Sequence, residues 1–393
     1  MAVESTSLET TDTRVMLMLG HVLWVWPLCS QCTAGRACTD DECKTRVIGT
    51  KRYFQFYKEL IGTYLDDSFV ATRAFQTHED LFTALQSLIA NPRMTRKQLA
   101  DTISRDRHLA PNALNAAVSL VVKVLAMIDP SSSRLFSSPG TLELGRYRAP
   151  WRDHVPFCDY VQDMFPAGSG GEVDGGNSDR FEDMKDALRA SELKKKLRLT
   201  LRLTHDLRDH LQFDRKHRIL DIFHLTSFLK EQLRLSKGAP SASSSDGQDS
   251  PDDDSNGPDH VLLPRQLLLE TLSSVQQILF PPSDARCRQL LRTLVDSAGF
   301  DPDAARYELA SVRRRGERAR YVYLAERLED LFEEARHPRP DGWLDRALER
   351  RSGKRHVMCA TVVGLVVALV LGVGSLAAGV FQAVVAYLAW KNP

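Results

Sequence analysis

The chain ends in a long apolar run that constrains its fold more than any other feature. Residues 357–390 contain no Asp, Glu, Lys or Arg. About 20 consecutive apolar residues are enough for a helix to cross a hydrocarbon core roughly 30 Å thick. The run therefore predicts one transmembrane helix at 357–390. The residues before it must form a body that does not depend on this helix for its core.

Basic side chains are concentrated before this run, and only Lys391 follows it. Because the flank richer in Lys and Arg usually stays in the cytosol, the asymmetry predicts a cytosolic body with a single C-terminal anchor. The stretch 341–356 is expected to lie along the membrane surface as a basic helix. Its membrane-facing basic residues are Arg350, Arg351, Lys354 and Arg355. The long span and weakly charged tail favour the endoplasmic reticulum or another endomembrane.

Small residues recur at every fourth position within the predicted span, at Ala360, Gly364, Ala368 and Gly372. This spacing places them on one helix face and allows a second helix backbone to approach closely. The pattern favours lateral homo-association of the chain in the membrane. The alternative is a passive anchor of ordinary Gly and Ala content.

Composition limits the class of protein and its compartment. The chain has 393 residues and a net charge of +1, so no bulk field recruits nucleic acid or anionic lipid. Its seven cysteines are an odd number and are unevenly spaced, which argues against a disulfide framework. No Asn begins an N-x-Ser/Thr sequon, which fits a body that stays out of the secretory lumen.

A second apolar run, at residues 15–28, leaves four interpretations open: a signal peptide, a first span, a buried or peripheral segment, and a mispredicted first exon. It is short for a membrane span. The residues before it include Glu4, Glu9 and Asp12 against a single Arg14, whereas a signal peptide has a basic start. We therefore favour a buried or peripheral apolar segment over a signal peptide or a first span. A cleaved signal would instead place the body in the lumen.

Two segments divide the body, at 167–179 and 237–260. Both are rich in Gly, Ser, Pro and Asp and have too few large apolar side chains to form a core. We interpret them as linkers, the second one acidic and disordered. The resulting units are 1–46 with the apolar segment and a cysteine cluster, 47–166, 180–236 and 261–340.

The unit at 47–166 shows three helical patterns in succession, followed by an alternating stretch around a Ser-Pro-Gly turn at 131–152. The second helical pattern opens with Thr95 as N-cap three residues before Gln98, the spacing of a capping box. This order is typical of a winged-helix domain. In such domains the helix after the turn reads the major groove. Here the corresponding helix, at 112–128, carries the single charge Lys123 among apolar residues. We therefore expect it to be buried, which makes nucleic-acid binding unlikely.

The other two units are also predicted to be helical. Residues 180–236 indicate a helical hairpin that turns near Phe213 and Asp214, with a basic amphipathic first helix. Residues 261–340 indicate short helices and a hairpin-like basic centre, with Ser283 as one N-cap and Asp301 as another, before Pro302 at the first helical position. The predicted fold class is mainly α, with a multi-unit helical cytosolic body and one C-terminal transmembrane helix.

Four clustered cysteines have the spacing C-x2-C-x5-C-x4-C, close to that of a zinc knuckle. They are Cys29, Cys32, Cys38 and Cys43. Four thiolates suit the tetrahedral coordination that Zn²⁺ adopts in structural sites. The pattern predicts a closed, non-catalytic zinc site, against the alternative of four reduced cysteines without metal.

The sequence contains none of the common catalytic or nucleotide-binding motifs. No phosphate-binding P-loop, nucleophile elbow or dinucleotide fingerprint is present. Metal-binding histidines on one helix are spaced by three or four residues, whereas His205, His210, His217 and His224 are not. We interpret them as ordinary polar or core histidines, and no catalytic or cofactor-binding residue is predicted.

Several stretches resemble a family of uncharacterised, C-terminally membrane-anchored proteins of filamentous fungi. The stretches are DECKTRVIGTKRYFQFY, FQTHEDLFTAL, HRILDIFHLTSFLKEQLR, LPRQLLLETLSSVQQILFP and PRPDGWLDRALERRSGKR. The resemblance covers most of the chain from Cys43 onward and implies a helical cytosolic body with one C-terminal span. It implies no activity, cofactor or catalytic residue.

These observations favour a membrane-anchored interaction or scaffold protein, with lipid and other proteins as partners. Two alternatives from other classes stay open. One is a membrane-tethered gene regulator that uses the winged-helix-like unit, and the other is an enzyme whose site is formed by residues scattered along the chain.

Overall fold

A computed structural model of the chain describes residues 6–34, 38–67, 72–105, 107–130, 150–166, 173–174, 179–237, 262–314, 320–338 and 355–391. It is mostly helical with little sheet and has one long apolar helix at the C-terminus, so the predicted fold class is confirmed. The chain forms two compact units, Met1–Arg336 and His337–Pro393.

In its described part, the first half of the unit Met1–Arg336 consists of helices and their connections. In chain order they are α1 (Thr13–Trp24), α2 (Ser30–Thr33), α3 (Asp41–Gly49), α4 (Lys51–Asp66), α5 (His78–Ala90), α6 (Arg96–Ser104), α7 (Pro111–Ala126) and α8 (Phe157–Met164).

The second half mixes helices with short strands. In chain order they are β1 (Val173–Asp174), α9 (Asp179–Ala187), α10 (Ala190–Leu197), β2 (Thr200–Thr204), β3 (Phe213–Asp214), β4 (Ile219–Phe223), α11 (Thr226–Lys237), α12 (Arg265–Ser273), α13 (Ala285–Thr293), α14 (Leu309–Val312), β5 (Arg320–Tyr321) and α15 (Ala325–Arg336). Two π-helical turns, Ser274–Leu279 and Leu294–Ala298, extend α12 and α13.

The strands form two small sheets. β2 and β4 are parallel, and β3 pairs antiparallel with the other side of β4, so the order is β2-β4-β3. β1 pairs antiparallel with β5, which joins segments that are far apart in the chain. The sequence predicts a hairpin in the basic centre of 261–340, but the described partner of β5 is β1, which lies outside that unit.

The helical hairpin predicted for 180–236 is wrong. Leu199, Leu201 and Leu203 alternate with polar residues, which is the period of a strand, and this segment forms β2. β4 lies between two strands and is almost wholly buried, and four of its five residues are apolar, the exception being Asp221. Such a run cannot be distinguished from a buried helix by periodicity alone.

One core contains residues from each of the four units predicted upstream of the membrane helix. Its centre is an aromatic group in which Trp24 and Phe228 lie 5.0 Å and 5.5 Å from the ring of Tyr53. The Tyr53 hydroxyl donates to the carbonyl of Val124 at 2.6 Å. Helices α1, α4, α7 and α11 therefore meet at one point. The linker boundaries at 167–179 and 237–260 stay predictions, because those segments lie mostly outside the described residues.

The N-terminal apolar run is part of this core, which agrees with the buried-segment interpretation. Asp12 caps α1 by accepting from the amide of Val15, and Leu17 and Leu19 are fully buried. Residues before α1 are tied to α5, where His78 donates its amide to the carbonyl of Thr6 at 3.0 Å. The segment is therefore an internal helix of the body.

The three successive helices expected in 47–166 are confirmed as α5, α6 and α7. Thr95 and Gln98 form the predicted capping box of α6. The expectation that the third helix is buried is also confirmed, with Val121 and Val122 fully enclosed. The predicted wing lies almost entirely at 131–149, outside the described residues.

Caps in the last part of the body agree in part with the sequence. Asp301 caps a short 3₁₀ helix that begins at Pro302, as predicted. Helix α13 is capped by Asp284 and not by the predicted Ser283, because the Asp284 carboxylate accepts from two backbone amides of the first turn.

The unit His337–Pro393 contains α16 (Arg355–Lys391). Its section Leu365–Val385 has 21 residues and a mean hydropathy of 2.2, and none of it is buried in the protein. At 1.5 Å per residue this section spans about 31 Å, the thickness of a hydrocarbon core. By length and composition α16 is able to cross a membrane.

Candidate metal centre

The four clustered cysteines come together in space. The Sγ atoms of Cys29, Cys32, Cys38 and Cys43 all lie within 4.8 Å of one another, and all four are free thiols. Cys29 Sγ is 3.4 Å from Cys32 Sγ and 3.6 Å from Cys38 Sγ. The set of ligands predicted from spacing is thus a real cluster in the fold.

Short helices position these thiols. Cys29 is the N-cap residue of α2 and Cys32 lies within it. Cys43 lies in the first turn of α3, where the carboxylate of Asp40 accepts from its backbone amide at 2.9 Å. Because two of the thiols come from α2 and one from α3, an ion held by the cluster would link these two helices.

Hydrogen bonds outside the cluster hold the same geometry. The side-chain oxygen of Gln31 accepts from both the amide and the hydroxyl of Thr39, each at 2.8 Å, which places the neighbouring Cys38 against α2. Arg46 of α3 donates to the carbonyl of Pro27 at 3.0 Å. Such outer bonds orient ligands and are part of a metal site's design.

The cluster fits a single tetrahedral ion. Zn–S bonds of about 2.3 Å in a tetrahedron separate the sulfur atoms by about 3.8 Å. The observed separations lie on both sides of this value, so small side-chain rotations suffice for coordination. Four protein ligands complete the coordination of Zn²⁺, which leaves no position for water or substrate, and a metal here would act on structure alone.

The thiols differ in how readily they lose their protons. The backbone amide of Cys32 lowers the pKa of Cys29 to about 7, because it donates to the sulfur and favours the thiolate. Burial raises the pKa of the Cys32 thiol, and it raises that of Cys43 to about 11. Metal binding must therefore displace protons, and we expect it to weaken as the pH falls.

A buried histidine and serine resemble a catalytic pair but have the wrong hydrogen bonds for one. His210 Nδ1 accepts from the amide of Phe223 at 3.1 Å, so the ring proton is on Nε2. Nε2 then donates to Ser274 Oγ at 2.6 Å, and Ser274 Oγ donates to the carbonyl of Thr271. A nucleophilic serine needs the opposite direction of donation. Burial lowers the pKa of His210 to about 3, so it stays neutral.

Two other histidines meet in a way that sequence spacing did not indicate. His205 and His224 directly follow the paired residues Thr204 and Phe223 of the parallel strands, and their ring centroids are 4.9 Å apart. Their proximity follows from strand register, which only the recognition of β2 and β4 would have shown. The ring of Phe56 stacks on His205 at 4.6 Å. Burial lowers the pKa of both histidines, that of His224 to about 3.

The N-terminus of α11 is occupied by carboxylates of the protein itself. Asp301 accepts from the amide and the hydroxyl of Ser227 at 2.9 Å and 2.6 Å. Asp303 forms a buried ion pair with Lys230 at 2.8 Å. Helix N-termini after parallel strands often bind anionic ligands, but here the protein's own aspartates take that position. Burial raises the pKa of Asp301 to about 6.

The predicted membrane residues are distributed along α16. Ala368 and Gly372 are exposed on it, and Ala360 and Gly364 lie within its helical backbone. Arg355 is its first residue. The other predicted surface-binding residues, Arg350, Arg351 and Lys354, lie outside the described part of the chain.

No protein-family model, curated protein or solved structure matches this chain. The resemblance to membrane-anchored fungal proteins therefore stays a prediction.

Proposed function

We propose that this protein is a membrane-anchored interaction or scaffold protein. Its folded body would lie on the cytosolic face of an endomembrane, with the endoplasmic reticulum favoured. The observation that carries the proposal is the apolar section Leu365–Val385, none of which is buried. Soluble proteins rarely expose apolar surface of this extent, and the length of the section matches a lipid hydrocarbon core.

The charge asymmetry around α16 supports the orientation. Arg350, Arg351, Lys354 and Arg355 precede the apolar section and only Lys391 follows it. Basic flanks remain in the cytosol, so the body would face that compartment. The inclusion of α1 in the core supports the same topology, because cleavage after a signal peptide would remove a core helix.

The buried polar groups of the body support an interaction role over catalysis. Glu270 is fully buried and accepts from the amides of Val322, Tyr323 and Leu324 at 2.7–2.9 Å. The His210–Ser274 and Lys230–Asp303 pairs likewise bind elements of the body together. Buried groups engaged in this way serve structure.

Proximity labelling from the N-terminus tests this proposal. We would compare the full chain with a version that ends at Gly353 and with one in which Leu365–Val385 is replaced by an unrelated span of equal length. A scaffold should have a reproducible set of neighbours that is lost on truncation and kept with the substituted span. Neighbours that are unaffected by truncation would contradict the proposal.

We further propose that the cysteine cluster binds one structural Zn²⁺. The mutual approach of the four Sγ atoms within 4.8 Å supports it. The ion would clasp α2 to α3 and thereby stabilise the packing of α1, since structural zinc sites contribute folding free energy directly.

Metal analysis of the purified full chain tests the zinc proposal. We expect one zinc per chain, lost in Cys43→Ser and retained in Cys158→Ser, which changes a free cysteine outside the cluster. Chelation should lower the thermal midpoint of the wild type and of Cys158→Ser but not that of Cys43→Ser. Equal zinc content in all three proteins would contradict the proposal.

A further inference from the structure

One edge of the three-stranded sheet has backbone groups that point away from the sheet. β2 is at the end of the order β2-β4-β3 and pairs only with β4. In a parallel pair, alternate residues direct both their N–H and C=O to the neighbour. The amide of Thr200 donates to the carbonyl of Arg218, on the β4 side. The N–H and C=O groups of Leu201 and Leu203 therefore face the open edge, and no described residue bonds to them.

β2 has neither a proline nor a bulge, two of the devices that keep an edge strand from pairing with another strand. β2 has the sequence TLRLT, and its pairing with β4 is regular over all five residues. Leu201 and Leu203 direct their side chains to the core, while Thr200 and Arg202 are exposed. The charge of Arg202 is engaged by Asp221 of β4. A regular edge of this kind is able to accept an added strand.

The residues that precede β2 in the chain are basic. Helix α10 ends just before β2 and carries three exposed lysines in its last turn, followed by exposed Arg198. Lys196 faces Glu192 at 4.0 Å, and Arg202 is paired with Asp221. Lys194, Lys195 and Arg198 form no ion pair with any described residue. The positive charge next to β2 is therefore not compensated within the described structure.

We infer that the open edge of β2 binds an extended acidic segment of a partner protein as an added strand. Main-chain hydrogen bonds to Leu201 and Leu203 would supply affinity, and the lysines of α10 would select acidic side chains. A second copy of this chain fits less well, because pairing β2 with itself brings the basic surroundings of both copies together. The inference rests on the proposed interaction role and specifies the class of partner.

Synthetic peptides test the backbone and charge requirements separately. The probe is the peptide EVTVEVE with blocked ends, added to the full chain in uncharged phosphatidylcholine nanodiscs. One comparison peptide has Lys for each Glu, and another has N-methylated valines, which cannot donate main-chain hydrogen bonds. We expect saturable binding of the probe, affinity lower by at least about tenfold for the Lys peptide, and loss of binding on N-methylation.

Hydrogen exchange locates the binding. The amides of Leu201 and Leu203 should exchange more slowly when the probe is bound. In Lys194→Glu/Lys195→Glu the preference should reverse toward the Lys peptide. The matched control Lys51→Glu/Lys58→Glu makes the same charge change at exposed lysines of α4 and should leave both affinities unchanged.

Defined outcomes overturn the inference. Equal binding of the N-methylated peptide would exclude strand addition. Unchanged exchange of the two amides would exclude the β2 edge. If the amides of Leu201 and Leu203 exchange slowly without peptide, another strand already occupies the edge. That strand belongs to a second copy if the slow exchange depends on protein concentration, and to the acidic run 252–254 of this chain if it does not. If the peptide does not bind but proximity labelling still finds neighbours that depend on the anchor, this inference alone is rejected. If the peptide binds but the neighbours do not depend on the anchor, the scaffold proposal is rejected.

Discussion

Two strongly apolar helices near opposite ends of this chain have opposite environments. In α1, Leu17 and Leu19 are completely enclosed by other parts of the body. In α16, the section Leu365–Val385 is entirely exposed. Both stretches are apolar enough in the sequence to suggest a membrane segment.

The difference shows that length and neighbours decide the fate of an apolar helix. α1 has 12 residues, too few for a hydrocarbon core, and its last residues contact α4 and α11. The apolar section of α16 is long enough to span, and none of it is buried. Water is a poor solvent for both helices, and the body removes only α1 from it.

Matched aspartate substitutions should have the largest effect on this comparison. Leu19→Asp places a carboxylate in the core and is expected to cost at least about 4 kcal/mol of unfolding free energy. Leu376→Asp, at a side chain 70% exposed, should change that free energy by less than about 0.5 kcal/mol. It should instead reduce membrane retention, since Asp near the centre of a span costs about 3 kcal/mol. Urea unfolding and membrane fractionation distinguish the two, and similar stability losses would refute the contrast.

A smaller effect should follow from loosening the end of the α1 segment. Trp26 donates from its indole nitrogen to the carboxylate of Glu231 on α11 at 3.0 Å. Trp26→Phe keeps an aromatic ring but removes the donor and part of the buried indole, so it should cost about 1–2 kcal/mol for the bond and a further packing loss. A double-mutant cycle with Glu231→Leu, which removes the acceptor, isolates this bond from the packing changes. Additive effects of the two substitutions would show that the bond does not seat α1.

The tie between the extreme N-terminus and α5 should respond to pH. His78 accepts from the Tyr57 hydroxyl and donates to the carbonyl of Thr10. Burial lowers the pKa of His78 below its ordinary value of 6.5. Its contribution to stability is therefore complete above the unfolded pKa and is lost as pH falls through the folded pKa.

The corresponding variant is His78→Gln, with His217→Gln in the exposed β3–β4 turn as control. His78→Gln should be less stable than the wild type at pH 7 and should show a shallower loss of stability from pH 7 downward. Urea midpoints measured across this range test it. A decline as steep as that of the wild type would show that protonation of His78 is not involved.

The smallest effect on the body is expected from the small-residue face of α16. Lateral association through Ala360, Gly364, Ala368 and Gly372 stays a prediction from sequence. Gly364→Leu/Gly372→Leu should abolish a crosslinked membrane dimer without changing the stability of the body. Gly374→Leu, which lies on another helix face, is the control. A dimer that persists in the double variant would leave α16 as a passive anchor.

Local patterns were readable from the sequence where the physical cause was local. Thr95 and Gln98 predicted a capping box because both partners lie within one helical turn. The spacing of the four cysteines predicted a ligand set because all four lie within a short segment. In contrast, the sequence predicts helix at residues 219–223, which form a strand. Their strand conformation depends on pairing with β2 and β3, which a local pattern does not show.

The sequence by itself determined that this chain carries a helix able to span a membrane, because an uninterrupted apolar run of sufficient length needs no partner to define it. Tertiary structure alone decided that the other apolar run is internal, since Tyr53 and Phe228, far apart in the chain, form its surroundings. It also decided that β2 has an open edge. Burial and strand pairing are relations between distant segments, and sequence periodicity describes only one segment at a time.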